Sequence, residues 1–365
     1  MAEAGIGLAL SGGGFRATLF NLGSLWRLND IGLLPSIRRI TSVSGGSIAS
    51  GVLGLHWRRL TFREGVATNF QEVVAEPLMH FCLKGIDTAA GIGGLLSLVD
   101  SIGDRVQEKY EEGLFGQATL QDLPPEGEGP AFVFYATSLQ TGSSVRMSRK
   151  YLADYKLGKL DRPRIGLARV VAASSAFPPV LSPVYVDTDA SAWTETDGAF
   201  LYGQEGLRRR MMLTDGGVYD NMGMEAIWDR YETVLVSDAG APLDIEAAPS
   251  AIWHKQALRV LDICTDQQRA LRKRELVARL RSGSLKGAYW GIGTEIGAYG
   301  LGDPLCRDSK VSGELADIRT RLDRFSEREQ ANLVNWGYAL ADAALRRHVR
   351  SDTVAGILPL PDCSL

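Results

Sequence analysis

Three short stretches of this sequence hold residue types that could carry out acyl transfer. The first is Ser42-Val43-Ser44-Gly45-Gly46, between a strand-like run and a helix-like run. A serine on a sharp strand-to-helix turn needs small neighbours, because bulky ones clash there, and the turn exposes its hydroxyl as a nucleophile. The pattern is G-x-S-x-G, with Ser42 standing in place of the first glycine. A helix starting at Gly45 or Gly46 would also aim its N-terminal N–H groups and dipole at Ser44. Alone, the stretch reads equally well as an ordinary turn with Ser44 as a helix cap. The second stretch, Gly12-Gly13-Gly14-Phe15-Arg16, lies about thirty residues earlier behind another strand-like run. Glycines can present backbone N–H groups without side-chain obstruction, which suits the oxyanion of a tetrahedral intermediate. Both turns fall at the carboxyl ends of strands, where they can converge in a parallel sheet.

A serine nucleophile needs a base within hydrogen-bond reach. The third stretch, Asp215-Gly216-Gly217, ends the apolar run Met211-Met212-Leu213-Thr214 and so presents a carboxylate on a tight turn. Partial burial would raise the pKa of such an aspartate toward a useful range. Asp197-Gly198-Ala199 is a competing Asp-Gly turn, but it lacks the preceding apolar strand. The four histidines are His56, His80, His254 and His348. Only His254 and His348 follow an acid in the Ser–Asp–His order of a triad, and both lie in basic, helix-like segments. Phosphate binding is the rival use of the glycine turn. No Lys-Ser or Lys-Thr follows it, and a G-x-G-x-x-G reading meets Ala17 at its last position, without an acidic residue ending the next strand.

These groups must be placed by the elements around them. Ile6–Ser11 reads as a buried strand, Gly12–Arg16 as a turn and Ala17–Asp30 as a helix with leucines and Trp26 at helical spacing. Arg39–Val43 is the next strand and Gly45–Leu60 the next helix. This start predicts an α/β fold with a mostly parallel central sheet flanked by helices. Ala131–Thr137 is a strand with Ser144–Ser148 as its hairpin partner, and Ala168–Ser175 is a short helix stopped by Pro178 and Pro179. Residues 187–210 read as an insertion or extended hairpin, and Thr233–Ser237 as another buried strand. Residues 253–281 read as a long basic helix, and 284–304 as a Gly/aromatic loop. The last helix starts at a capping box of Ser326 and Glu329, with Leu333, Trp336, Gly337 and Leu340 on its apolar face. Gly91–Val99 is apolar and too short to span a bilayer; it reads as a core helix or as a cap over a pocket.

The chain has 365 residues, 45% of them hydrophobic, so it can bury a large core. A net charge of −3 argues against nucleic-acid binding driven by bulk charge. The four cysteines, Cys82, Cys264, Cys306 and Cys363, are far apart and predict neither a zinc site nor a disulfide framework. No basic n-region followed by an apolar run opens the sequence, which reads as cytoplasmic, with any membrane contact peripheral. The expected organisation is one domain over residues 1–350, with a catalytic core over about 6–240, helical additions over about 250–350 and a tail over 351–365.

Taken as an ordered set, these stretches resemble the patatin-like phospholipases, whose catalytic core is shared with cytosolic phospholipases of the A2 type. The family signs are a G-G-G-x-R loop, a G-x-S-x-G elbow and a D-G-[GA] turn, carried here by Gly12–Arg16, Ser42–Gly46 and Asp215–Gly217. Ala172–Pro179 looks like the family's small-residue, double-proline segment. The resemblance covers roughly residues 6–240. It implies a patatin-like three-layer sandwich and a Ser44–Asp215 dyad without cofactor or catalytic metal. It also implies an oxyanion hole from Gly12, Gly13 and Gly14, joined by Gly45. Arg16 matches the family's basic residue, which positions the loop or pairs with a lipid phosphate.

The expected activity is a lipid acyl hydrolase of the phospholipase A or lysophospholipase type, with a phospholipid or lysophospholipid as substrate. Two readings stand beside it: a catalytically silent lipid-binding or signalling module of the same fold, and a Ser-His-Asp esterase using His254 or His348. Arg269, Arg272, Lys273, Arg274, Arg279, Arg281 and Lys286 crowd the segment 269–286, which reads either as a solvated helix face or as a contact for anionic headgroups.

Overall fold

The computed structural model describes residues 2–86 and 102–361; the apolar stretch Gly91–Val99 and Cys363 lie outside the described residues. Strand β1 (Glu3–Leu10) runs into helix α1 (Gly14–Asp30), and β2 (Ile37–Ser42) runs into helix α2 (Gly45–His56). The first helix thus begins inside the predicted turn, and Phe15 and Arg16 belong to its first turn. A two-stranded hairpin follows, β3 (Phe62–Arg63) and β4 (Val66–Ala67). Next come β5 (Ala131–Ser138), β6 (Ser144–Ser148), β7 (Tyr151–Asp154) and β8 (Gly158–Asp161). The remaining strands are β9 (Val184–Asp187), β10 (Trp193–Thr194), β11 (Arg210–Asp215), β12 (Tyr231–Asp238) and β13 (Lys286–Gly291).

All but β3 and β4 join one sheet in the order β10-β8-β7-β6-β5-β2-β1-β12-β13, with β11 attached to β5 and β9. Its centre, β5-β2-β1-β12-β13, is parallel. The wing from β5 to β10 is antiparallel, as short hairpin connections require. The expected α/β fold is therefore observed, with helices covering a mixed sheet whose central strands are parallel. Two stretches differ from expectation. Residues 286–291, read as loop, form the parallel edge strand β13, because Ala288 and Trp290 bury toward the core while glycines at both ends masked the alternation. Residues 187–210, read as an insertion or extended hairpin, hold the short strand β10 and a helix, Glu205–Arg209, so the single-hairpin alternative is the one that fails.

One further pairing decides where the site forms. β6 pairs with β5 from Val133 to Thr137, which occupies one edge of β5. The other edge is shared: β2 takes Ala131–Phe134, and β11 arrives antiparallel and takes Ala136–Ser138. Ser42 lies opposite Phe134 and Asp215 opposite Ala136, so β2 and β11 end facing each other.

The C-terminal helix, Glu327–His348, begins at the predicted Ser326/Glu329 capping box and packs along α1 inside the core. Their backbones nearly touch. A Cβ on Gly23 would lie 1.9 Å from the Val334 carbonyl oxygen, and one on Gly337 would lie 2.0 Å from that of Phe20. A buried ion pair, Arg27 to Asp342 at 2.6 Å, locks the same contact. Trp336 donates to the Ile292 carbonyl at 2.7 Å, tying the helix to the end of β13. Gly337→Ala is expected to destabilise the fold by about 2 kcal/mol or more, because backbone rather than a flexible side chain stands in the way. The exposed Gly206→Ala, which meets nothing, should leave the melting temperature unchanged in the same thermal denaturation experiment.

Candidate active site

Ser44 follows β2 and caps α2, and its backbone is held at φ 50°, a conformation that non-glycine residues rarely adopt. The strain has a visible cause. A Cβ on Gly45 would lie 2.0 Å from the Gly14 carbonyl oxygen, and one on Gly46 would lie 2.4 Å from that of Leu10, so the turn is pressed against β1 and the glycine loop. Ser42, the departure from the G-x-S-x-G pattern, is fully buried and accepts hydrogen bonds from the Ser47 hydroxyl at 3.0 Å and the Ser50 hydroxyl at 2.7 Å. Its side chain is absorbed by α2, which leaves the turn intact.

Asp215 closes β11 and is 2% exposed. Burial raises its pKa to about 6, against the opposing pull of hydrogen bonds from the Gly217 N–H, at 2.7 Å, and from the Ser44 hydroxyl. The aspartate turn is fixed from behind. Asp215 N–H donates to the Ala176 carbonyl at 2.9 Å, and Thr137 donates its hydroxyl to the Asp215 carbonyl at 2.9 Å.

The glycine loop passes directly over this pair. Gly13 and Gly14 have φ of 135° and 54°, and a Cβ on Gly14 would fall 1.5 Å from the Thr320 carbonyl oxygen, so no other residue fits there. Gly12 differs from its neighbours. Its N–H donates to the Asn221 carbonyl at 3.0 Å, so it is not a free donor. Its missing side chain matters instead, since a Cβ would meet Asn221 Oδ1 at 2.4 Å and Ser44 Cβ at 3.0 Å. The N–H groups of Gly13, Gly14 and Gly45 have no acceptor among the described residues. Arg16 is 4% exposed beneath the loop and donates to the carbonyls of Ala316, Ile318 and Ala239 at 2.6, 2.8 and 2.9 Å. Burial lowers its pKa to about 10.

Ser44, Asp215 and Gly12–Gly14 open together into a cavity of about 810 Å³. Phe177, Val180, Leu181, Pro242, Leu243 and Ile318 give it apolar walls, while Arg259, Asp262, Asp266 and Arg269 give it a charged one. None of the four histidines lines it: His254 and His348 are exposed, against Trp253 and Tyr299 respectively. Asp197 is exposed and away from it too. Among the described residues, no group of His, Cys, Asp or Glu could hold a metal ion. The seven basic residues of 269–286 do not form one patch. Arg269 pairs with Asp238 and Asp266, Arg272 with Asp220 and Glu225, and Arg279 with Asp229, while Lys273 sits over the Tyr289 ring. Arg274, Arg281 and Lys286 remain exposed.

Residues 8–228 match the patatin-like phospholipase family. The chain belongs to that family. Among solved structures it resembles human GIVD cytosolic phospholipase A2 in complex with methyl gamma-linolenyl fluorophosphonate. Identity is 13% and the TM-score 0.52, and the match covers 93% of this chain and 57% of that one. It also matches VipD from Legionella pneumophila at 15% identity and a TM-score of 0.41, covering 95% of this chain and 67% of that one. At these identities the likeness to the phospholipase A2 concerns the fold, and this chain spans less than two thirds of that protein's length. No curated protein matches.

Within this patatin-like chain, two residues join the three stretches, and sequence reading did not single out either. Ser174 accepts the Ser44 N–H on its hydroxyl at 3.0 Å and the Gly216 N–H on its carbonyl at 3.2 Å, so it bridges the elbow and the aspartate turn. Asn221 bridges the aspartate turn and the glycine loop, with Oδ1 wedged where a Cβ of Gly12 or Gly217 would sit. Ser174 lies in the small-residue segment before Pro178, whereas nothing in the spacing marked Asn221.

The buried Asp215 has a measurable consequence for stability. Its folded pKa lies above the unfolded value of 3.8, so the native state holds the proton more tightly. Stability linked to this group is therefore present at acid pH and is lost as pH rises through about 6. Asp215→Asn removes the charge without the volume. It is expected to melt above the wild type at pH 8, by an amount corresponding to about 2–3 kcal/mol. The gap should close near pH 4, which thermal melts across this range will show.

Proposed function

We propose that this protein is a lipid acyl hydrolase that cleaves carboxylic esters of phospholipids or lysophospholipids through a Ser44–Asp215 dyad. The observation that carries the reading is a serine on a strained strand-to-helix turn, hydrogen-bonded to a buried aspartate whose pKa is near 6, inside a cavity that no histidine lines. Among the described residues Asp215 is the carboxylate that Ser44 meets, and with a pKa of about 6 it is ionised at neutral pH yet basic enough to accept a proton.

In this mechanism Ser44 Oγ attacks the ester carbonyl carbon while its proton passes to Asp215. The developing oxyanion is met by the N–H groups of Gly13, Gly14 and Gly45, which have no competing acceptor among the described residues. Gly12 contributes room rather than a donor. Collapse of the tetrahedral intermediate breaks the ester C–O bond, and Asp215 returns the proton to the departing alcohol. Water then attacks the acyl-enzyme, giving its proton to Asp215, which passes it to Ser44 Oγ as the acid leaves. Arg16 acts by positioning: its terminal nitrogens hold the carbonyls of residues 239, 316 and 318 under the loop, leaving phosphate pairing without support. The apolar wall of Phe177, Val180 and Leu181 suits an acyl chain. Contact with the lipid surface is peripheral in this reading; among the described residues no helix is long and apolar enough to cross a membrane.

Ser44→Ala and Asp215→Asn are each expected to lower hydrolysis of vesicle phospholipid by at least about a thousandfold while both proteins stay folded. A serine-directed fluorophosphonate should label wild type and not Ser44→Ala. Near-normal rates in Asp215→Asn, with loss in His254→Ala or His348→Ala, would move the reading to the triad. No labelling of folded wild type would move it to the silent module. The pH dependence carries a sign. Because Asp215 must be ionised to take the proton, kcat/KM should fall about tenfold per pH unit below about 6 and be level above it.

A further inference from the structure

The long helix Trp253–Ser282 has its polarity inverted over its first half. At about 100° per residue, Trp253, Ala257, Val260, Cys264 and Leu271 fall on one stripe. That stripe faces solvent: Trp253 is 79% exposed, Val260 56% and Leu271 60%, and in the whole helix only Leu276 is fully buried. The charged residues lie on the other side, with Arg259, Asp262, Asp266 and Arg269 forming the charged wall of the cavity. Between Trp253 and Leu271 the outward stripe has no charge at all.

The inversion is fixed rather than incidental. Arg269 holds the Gly240 and Ala241 carbonyls at 2.5 and 2.7 Å and Asp238 at 3.3 Å, and Arg259 binds Glu246 and the Asp244 carbonyl. Rolling the helix to hide Trp253 would break all of these. The apolar surface also reaches the lip of the cavity. Ile245, between the cavity-lining Asp244 and Glu246, is 98% exposed, and Ile252 is 49% exposed just before the helix. Beyond Leu271 the exposed side is cationic on balance: Arg274 and Arg281 are exposed and in no ion pair among the described residues, and Glu275 is the one exposed carboxylate between them. A tryptophan-ended apolar stripe followed by unpaired cations is complementary to a surface with an apolar interior and anionic headgroups.

We propose that this stripe is the face by which the protein docks on an anionic lipid surface, with Trp253, Val260 and Leu271 in the interface and Arg274 and Arg281 among the headgroups. The docking brings the cavity lip at Ile245 to the lipid. This assignment rests on the acyl-hydrolase reading for its purpose, but its test does not depend on catalysis.

Vesicle flotation should be run in a Ser44→Ala background, so that the lipid stays intact, with phosphatidylcholine vesicles and with vesicles holding about a third phosphatidylserine. Adding Trp253→Glu and Val260→Glu is expected to lower partitioning into the anionic vesicles by roughly tenfold or more. Arg274→Glu with Arg281→Glu should erase the preference for anionic over neutral vesicles. With Ser44 intact, the Trp253→Glu/Val260→Glu protein should hydrolyse a soluble short-chain ester at the wild-type rate and vesicle lipid about tenfold more slowly. Flotation unchanged by the apolar substitutions overturns the proposal. So does a parent protein that enters neither vesicle population, or substitutions that only convert a dimer to a monomer. Vesicle docking that responds as expected, without any ester hydrolysis by the wild type, would instead remove the acyl-hydrolase reading and leave the docking face standing.

Discussion

Strand β5 offers one free edge to two strands, and the whole site depends on how they divide it. β2 occupies the first half in parallel and β11 the second half antiparallel, so both chains end over the middle of β5. Ser44 lies just past the end of one and Asp215 at the end of the other. A serine and an aspartate far apart in sequence are thereby brought within hydrogen-bond reach, and Ser174 ties the two turns together. The glycine loop is then placed by β1, the neighbour of β2, and by the carbonyls of Thr320 and Arg321 that crowd Gly14 from the other side. The close packing explains the glycines at positions 14, 45 and 46, where backbone meets backbone with no space for a Cβ.

Such compactness has an electrostatic cost, which in the proposed mechanism makes Asp215 a usable base. Asp215 sits where water is excluded, and two hydrogen bonds only partly offset the burial, so its pKa settles near 6 rather than in the usual carboxylate range. More donors would stabilise the carboxylate further and make it a poorer base. Fewer would leave it protonated at neutral pH. The bonds that hold the turn rigid go instead to its backbone, from Thr137 and to Ala176, where they do not touch the proton affinity of the side chain.

The long helix shows how poorly charge runs in sequence report on surfaces. Residues 269–286 look like a basic patch, yet Arg269, Arg272 and Arg279 are drawn into ion pairs with acidic residues from β12, from the segment after Asp215 and from within the helix. What faces outward is the less conspicuous apolar stripe before them, with Arg274, Arg281 and Lys286 as the remaining exposed cations. Partners that are distant in sequence decide which cations are consumed internally, and sequence spacing carries no trace of that.

Much of the site was legible from residue types. Ser44 with its small neighbours, the glycine run and the Asp-Gly-Gly turn are demanded by local geometry: a sharp turn, a backbone donor and a carboxylate at a strand end. The first two strands, the helices after them, the Ser326 cap and the α/β class also followed from periodicity and capping chemistry. Tertiary structure decided the rest. It withdrew Gly12 from the free donors, because Asn221 takes its N–H, and it gave Arg16 to the carbonyls beneath the loop. It made a strand of 286–291, since that short segment is stabilised by pairing with β12 rather than by its own pattern. It also set Ser174 and Asn221 as the bridges among the three stretches. Sequence determines which groups can react and how each turn must bend. Only the sheet register and the packing of distant segments determine which donors, acceptors and charges remain free, because those are settled by partners that no local pattern encodes.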